Sequence, residues 1–506
     1  MKNREFIFDK YPLATIMISA LLVRLLAVIY SKGYMASDDH FETIAIAYDW
    51  LRYGVFNSDG LLAWAKNPPS ELNRFPLYNL ILLGQMKILR FFGVVSLDNM
   101  MYFIRAVHAI LSLIPVYIYY RLTLDITKSA KFALIAGLVG ALHFGVPFLS
   151  VRNLIEVVGG HFWIVAIYAI YKYQFTRTNN WLITAGLFTG LAWMVRFQIA
   201  LAVIPVPFLL WFQYRELKPV IYYSLSVFLM ILISALSDYW LLGKFAGTTI
   251  SLIFGAINGQ SMYNTTVFIY PLEIIFFFIP PLSIILIIFA FKKKFWNKHL
   301  ILTISTLSFI VFHTMLSNRQ ERFMIPIIPV LILIFIFTLW HQYKEKIYLF
   351  KNKKMYLSII SFTLIVNFTL LILFTFNFWH KGLVEPMSWI EQNYDSASPA
   401  KIAFVSPTKR ELYPFDYAGY TKVDTLCVFD WDELGKIKSS NFIADYYVIY
   451  PPNSNELKKY KEIIESEVGS LREIYYSSPS RIDRILHYLN PRHNAKNEAW
   501  IFRSKQ

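Results

Sequence analysis

Apolar runs of about twenty residues recur along this chain, separated by short polar breaks rich in lysine and arginine. A helix needs about 20 residues to cross a hydrocarbon core of about 30 Å. The pattern predicts spans at 11–30, 100–121, 131–150, 154–173, 181–195, 197–214, 219–242, 271–291, 299–317, 323–340 and 355–378. The apolar stretch 181–214 is divided because, as one helix, it would run about 51 Å, so a turn is expected near "VRFQ". The stretch 77–92, "LYNLILLGQMKILRFF", is short for a span and carries Gln85, Lys87 and Arg90. It reads as an interfacial helix lying on the membrane.

After about Lys381 the periodicity changes. "KIAFVSP", "TLCVFD" and "ADYYVIYPP" read as strands bounded by turn residues. "NSNELKKYKEIIESEVG" reads as an amphipathic helix capped by Asn or Ser. The fold class is therefore a polytopic α-helical membrane protein of about eleven transmembrane helices with a small C-terminal α/β domain. Residues 1–380 form the membrane domain, with a first loop at 31–99, and 381–506 form the terminal domain.

The breaks "YRLTLDITKSAK", "YKYQFTRTNN", "YRELK", "FKKKFWNK" and "HQYKEKIYLFKNKK" collect basic residues as cytoplasmic loops do. Had 77–92 spanned, all five would lie on the other side, so the charge pattern selects the interfacial reading. With Lys2, Arg4 and Lys10 inside, eleven spans put the C-terminus and its domain outside. The formal net charge of +16 follows from these loops. No basic stripe has the aromatic interleaving that nucleic-acid binding needs, so no nucleic-acid partner is expected. The single cysteine, Cys427, excludes an intrachain disulfide and a thiolate metal cluster.

This topology sorts the remaining charges onto one face. Asp38, Asp39, His40 and Glu42 follow the first span, and Trp64 and Arg74 share its loop. Arg152 and Glu156 lie between spans three and four, Arg196 between five and six, and Arg319, Glu321 and Arg322 between nine and ten. Asp238 and Glu273 end on the same side. A charge at membrane depth costs at least about 2.5 kcal/mol on insertion scales, so such residues default to paired or functional positions. Adjacent carboxylates supply a general base when a neighbour or burial raises one pKa. Guanidinium forks bind phosphate oxygens bidentately. A base and several arginines at a water–lipid boundary point to transfer of a group off a lipid-linked phosphate. The chain has no P-loop, glycine-rich nucleotide loop or HExxH motif.

These residues resemble the GT-C glycosyltransferases, most closely the family 22 mannosyltransferases of lipid-linked oligosaccharide and GPI-anchor assembly. The family's first-loop motif H-P-D-E-x-x-Q, followed by Y-G, W and R-x-x-P, is similar to "ASDDHFE", Tyr53-Gly54, Trp64 and "NRFP". Its R-T-L-x-N-x-x-E resembles "VRNLIEVVGG", and its G-x-R-P segment resembles "GLAWMVRFQIALAVIP". Its H-K-E-x-R-F-x-x-P-x-x-P resembles "SNRQERFMIPIIPVL", matching at Arg322, Phe323, Pro326 and Pro329, with Asn318 in place of the histidine. Ser37, Asp39 and Glu42 replace the family's Pro, Glu and Gln, which marks a divergent relative, expected to be bacterial, whose acceptor and sugar are open. The resemblance covers about residues 10–340.

The resemblance implies a polyprenyl-phosphate sugar donor, a glycolipid or glycan acceptor and an inverting displacement at the extracytoplasmic face of a plasma membrane. It assigns Asp38 as general base, with Asp39 tuning it or binding the acceptor. Arg322, then Arg319 and Arg196, would stabilise the departing lipid phosphate. Arg319 and Arg322 are expected on one helix face. His40, Glu42, Trp64, Arg74, Arg152, Glu156 and Glu321 would contact substrate. Asp38, Asp39 and His40 carry the donor types for a divalent metal, but the resemblance requires none and no cofactor is expected. Alternatives are a GT-C enzyme acting on lipid A, surface glycan or protein, a lipid-glycan transporter, or an O-antigen ligase or polymerase.

Overall fold

The protein is described from a computed structural model. It describes residues 11–54, 75–258, 266–316, 319–346, 353–394, 400–406, 414–419, 423–428, 442–451, 454–491, 494 and 496–504. The chain forms two compact units: residues 1–26, 56–81 and 106–375 in one, and 27–55, 82–105 and 376–506 in the other.

Among the described residues, seven helices are long and apolar enough to cross a membrane, or up to eight if one bent pair counts as a span. The long ones include Pro12–Tyr30, Leu97–Thr127, Ile155–Thr176, Phe197–Tyr214 and Lys354–Thr375. Ala130–Leu142, Asn180–Val195 and Leu300–Met315 are apolar but shorter. Each expected segment has a helical counterpart. Two of them are interrupted. The segment expected at 271–291 is the pair Ile269–Phe277 and Leu282–Ala290, bent by 118°. Pro280 and Pro281 sit at the break; proline lacks the N–H that a continuing helix needs and clashes with the preceding turn. The segment expected at 131–150 stops at Leu142 and restarts as Gly145–Ser150. The stretch 181–214 divides at Arg196, whose backbone is extended (φ −144°, ψ 99°), as the length argument required. Pro76–Phe91 is a helix of 16 residues.

The interruption at His143 exposes backbone groups that lipid cannot satisfy, and the first unit supplies partners for them. Arg24 is fully buried in the helix Pro12–Tyr30. It donates to the carbonyls of Gly140 (3.1 Å) and Ala141 (3.4 Å), and to Ser112 Oγ at 2.6 Å. A cation at the carbonyl end of the helix Ala130–Leu142 also complements its dipole. Asn367 acts as a backbone substitute across the gap. Its amide nitrogen donates to Leu142 O (2.9 Å) and its oxygen accepts from Phe144 N (2.9 Å). His143 Nε2 donates to Phe277 O at 3.1 Å.

The second unit contains a five-stranded mixed sheet: β1 Lys401–Val405, β2 Asp424–Val428, β3 Tyr446–Ile449, β4 Leu471–Ser477 and β5 Ala499–Ser504. The order is β2-β1-β3-β5-β4, with β1 parallel to β2 and β3, and β5 antiparallel to β3 and β4. One face packs Ala403, Val405, Tyr447, Ile449 and Phe502 against Tyr460 and Ile464 of the helix Leu457–Val468. That helix is not capped by Asn or Ser as expected. Its cap position is Glu456, whose side chain makes no capping bond, because a short 3-10 turn, Ser454–Glu456, precedes it. Also in this unit, the helix Ser37–Tyr53 follows the first span, and Gly33 bridges to Trp379.

Candidate functional site

In the first unit, three of the expected site residues come together. Glu156 stands in the first turn of the helix Ile155–Thr176 and is fully buried. Arg196 Nη2 lies 3.1 Å from its Oε1, and Arg322 Nε lies 4.0 Å from the same oxygen. Each arginine sits where regular helix is interrupted. Arg196 occupies the extended break before the 3-10 turn Phe197–Ile199, and Arg322 belongs to the 3-10 segment Glu321–Ile327. Phe323 lies beneath both guanidinium groups, at 5.1 and 5.8 Å, within cation–π range.

Two glycines make this approach possible. A Cβ on Gly160 would stand 2.9 Å from Pro326 O and 3.1 Å from Pro326 Cα. One on Gly159 would stand 3.2 Å from Arg196 Cβ. The "GG" that follows "VRNLIEVV" therefore lets both arginine-bearing segments pack beside the turn that carries Glu156. Among the described residues, one carboxylate meets two guanidiniums. Arginine forks are the side chains that recognise phosphate bidentately.

Next to it lies a polar group that the sequence reading missed. His108 Nδ1 donates to the backbone oxygen of Arg152 at 3.0 Å. Its Nε2 is 3.2 Å from the hydroxyl of Tyr78, which also pairs with the side-chain oxygen of Asn153. Tyr78, His108 and Asn153 are all buried. Asn153 lies inside the "VRNLIE" motif, so its position was the available signal. Tyr78 and His108 sit in apolar helices and gave none. Arg152 is buried with its guanidinium 4.2 Å from the Phe148 ring.

Other expected residues go elsewhere in this unit. Arg319 does not share a helix face with Arg322, because the 3-10 segment starts only at Glu321. Its Nη1 donates to Thr314 O (3.2 Å) and Leu316 O (2.8 Å), carbonyls at the end of the helix Leu300–Met315. Glu321 is exposed. Asp238 accepts from the backbone and side chain of Thr248, both at 2.9 Å, and so satisfies the start of the helix Gly247–Asn258. Trp64 and Arg74 lie outside the described residues.

The second unit carries the acidic motif. Asp38 and Asp39 lie in the first turn of the helix Ser37–Tyr53, and their side chains lie outside the described set. The cap position is Ala36, so Asp38 is not the capping residue. Carboxylates in a first helical turn complement the positive end of the helix dipole. His40 is buried, with Nε2 3.4 Å from the hydroxyl of Tyr417. Its ring stacks on Tyr34, which stacks in turn on His380. Glu42 is half-buried.

The far end of the same helix is held by Arg52, another residue the sequence reading did not single out. Arg52 pairs with Asp49 (3.2 Å) and Asp416 (2.6 Å) and donates to Gly419 O (2.9 Å). Burial alone would lower the Arg52 pKa, but the field of Asp416, Tyr48 and Asp49 outweighs it and raises the value. Gly54 ends the helix with φ 85°, a conformation that favours glycine, which accounts for the Tyr53-Gly54 pair. Two contacts thus fix the acid-bearing helix to the turn Phe415–Ala418: His40 with Tyr417 near its start, and Arg52 with Asp416 at its end. Among the described residues, no group of three His, Cys, Asp or Glu side chains is placed to hold a metal ion.

With this geometry in place, comparison with known proteins gives three results. The Alg9-like mannosyltransferase family model matches residues 15–410. No curated protein matches the chain by sequence. Among solved structures, ArnT from Cupriavidus metallidurans bound to undecaprenyl phosphate superposes with TM-score 0.60 at 11% identity, covering 97% of this chain and 98% of that one. Its apo form gives 0.61 at 11%, with 97% of each chain covered. The oligosaccharyltransferase of Archaeoglobus fulgidus aligns less well, with TM-score 0.44 at 12% identity over 92% and 72% of the two chains. The resemblance read from the motifs is therefore borne out: the chain is an integral membrane glycosyltransferase of the GT-C fold and belongs to the Alg9-like mannosyltransferase family.

Proposed function

We propose that this enzyme moves a sugar, most simply mannose, from a polyprenyl-phosphate donor to a hydroxyl of a glycolipid or glycan at the extracytoplasmic face. The family match across residues 15–410 is the observation that carries this reading. The fold shared with ArnT, whose structure contains undecaprenyl phosphate, supports the donor class.

In this reading Asp38 takes the proton from the acceptor hydroxyl as its oxygen attacks the anomeric carbon. The bond from that carbon to the phosphate oxygen breaks, and the electron pair leaves on the lipid phosphate. Such a leaving group needs charge stabilisation rather than protonation. Arg322 and Arg196 have the matching chemistry, with Glu156 holding the two guanidiniums in register. The charge pattern of the loops is the support for assigning Asp38 and these arginines to one membrane face. Arg319 is bound to helix-end carbonyls, those of Thr314 and Leu316, and has no direct part in this reading. Asp39 tunes Asp38 or binds the acceptor.

The test compares purified wild type with Asp38→Asn, each given radiolabelled polyprenyl-phosphate mannose and a glycolipid extract from the host. A positioned general base contributes about 10²–10⁴-fold. Loss of turnover on that scale in a variant with unchanged thermal stability is the expected result. Equal donor consumption by both proteins would remove Asp38 from the chemistry. If wild type consumes other polyprenyl-phosphate sugars but not the mannose donor, the donor class stands and mannose does not.

A further inference from the structure

The second unit contains a cavity of about 360 Å³ that none of the residues above explains. That is the low end of the range for small-ligand sites, about 300–1,000 Å³. Its walls come from the end of the first span (Ile29, Tyr30, Lys32), from Asp98 and Phe378, and from Glu385, Ser388, Trp389, Gln392 and Tyr475.

The chemistry of these walls is mixed in a particular way. Trp389, on the helix Lys381–Asn393, stacks on Tyr475 of β4 with centroids 4.9 Å apart and planes 17° apart. Both rings are half-buried and both line the space. Around them stand a carboxylate, an amide, a hydroxyl and an ion pair. Glu385 accepts from Ser477 Oγ at 2.7 Å and pairs with Lys381 at 3.3 Å, which fixes its orientation. Burial and the neighbouring, hydrogen-bonded Glu385 carboxylate raise the Tyr475 pKa, so its hydroxyl stays protonated. Lys32 and Asp98 form a pair at 3.6 Å, both partly exposed. Gln392 is exposed on the same helix, one turn from Ser388.

Flat aromatic rings beside a carboxylate and an amide match a sugar ring. Its C–H face packs on the rings, and its vicinal hydroxyls pair with groups that both donate and accept. A bare phosphate would find Glu385 and Asp98 repulsive. A fatty chain would take these polar groups out of water and offer no hydrogen bond in return, at about 1–3 kcal/mol for each one buried. Ile29 and Tyr30 end the helix Pro12–Tyr30, which is long and apolar enough to cross a membrane, so part of the wall is the end of a candidate span.

We propose that this cavity binds a saccharide unit of the glycolipid acceptor, with Trp389 and Tyr475 as its stacking platform and Glu385 and Gln392 as its hydroxyl partners. The role as acceptor subsite rests on the transferase reading above. The saccharide binding itself rests on the cavity alone.

The experiment uses the full-length protein in detergent micelles. Saturation-transfer NMR is run with methyl α-mannoside, methyl β-glucoside, N-acetylglucosamine and α-1,2-mannobiose as probes. At least one probe is expected to receive saturation on its ring C–H protons in wild type. Its Kd should rise about tenfold in Trp389→Leu and several-fold in Gln392→Ala, whose exposed site leaves folding intact. Inorganic phosphate should not compete. Absence of binding by every probe in wild type would overturn the proposal. So would equal binding in both variants, or displacement by phosphate. Repeating the binding with Asp38→Asn separates the two readings. Wild-type affinity in that variant is expected, and it would persist even if no transfer were ever detected. With turnover in hand, Gln392→Ala should raise the acceptor KM and leave the donor KM unchanged; an unmoved acceptor KM would exclude the subsite role.

Discussion

The two units each contain a buried arginine–carboxylate cluster, and the two are built with opposite stoichiometry. In the first, Glu156 lies against Arg196 and Arg322, one carboxylate for two guanidiniums. In the second, Arg52 lies between Asp49 and Asp416, one guanidinium for two carboxylates. The first gathers guanidiniums on one carboxylate and sits where two helices break. The second spends a further donor on the carbonyl of Gly419 and joins a helix to a turn. Ion pairing alone does not mark a site: the first cluster has the form of an anion receptor, the second that of a clamp.

The sharpest way to break this contrast is to remove one arginine from each. Arg322→Met should lower turnover by about 10²–10³, the usual loss for one donor to a developing anion, with the melting temperature of the micellar protein little changed. Arg52→Met should do the reverse. It leaves Asp49 and Asp416 facing each other and costs on the order of 2–3 kcal/mol, less than the ~3–5 kcal/mol of a fully buried pair because Asp416 is partly exposed. Its readout is the half-life at elevated temperature, with activity per folded molecule retained. If Arg322→Met mainly unfolds the protein and Arg52→Met mainly slows it, the assignment is inverted.

Glu156→Gln sharpens the first cluster. It sets two guanidiniums side by side without their counter-charge, so stability should fall by about 3 kcal/mol. Tighter binding of an added phosphate-bearing lipid should partly restore it, which a thermal shift with undecaprenyl phosphate would detect. Gly160→Val tests the approach rather than the charge. Its side chain meets Pro326 backbone at 3.1 Å or less, so turnover should fall together with the lipid-dependent shift, and Gly160→Ala should do so more weakly.

The smallest expected effect is a pH dependence in the second unit. Burial raises the Glu391 pKa from its ordinary 4.5, only partly offset by the hydrogen bond from Ser96, and Asp98 adds to the rise. The folded state therefore holds this proton more tightly than the unfolded state. Its stability declines as pH rises from about 4.5 through the folded value, and is flat on either side as far as this group is concerned. Glu391→Gln should remove that slope. An identical slope in thermal unfolding of the variant would assign it to another group.

The membrane architecture was legible because lipid imposes it. Backbone groups must pair within a helix, so each apolar run of span length declares itself. The division at Arg196 followed from length alone. The interruptions at His143 and at Pro280–Pro281 were not read, although proline advertised the second. The first depends on Arg24 and Asn367, residues more than a hundred positions from the carbonyls they satisfy. In the terminal domain β1, β2 and β3 were legible as apolar runs between turns. β4, "LREIYYS", was not, because its burial alternates irregularly around a shift in register at Glu473 and Tyr475.

For the candidate site, the residue pattern was enough to read the family, the membrane class and the candidacy of Glu156, Arg196 and Arg322, because charge in apolar surroundings is costly enough to stand out. It took the folded chain to bring these three to one carboxylate oxygen, to bind Arg319 to helix-end carbonyls instead, and to hold the acid-bearing helix through Arg52, Tyr417 and His40. Those pairings join residues up to 377 positions apart. Local pattern fixes which groups need a partner, and the packing of distant segments decides which partner each one finds.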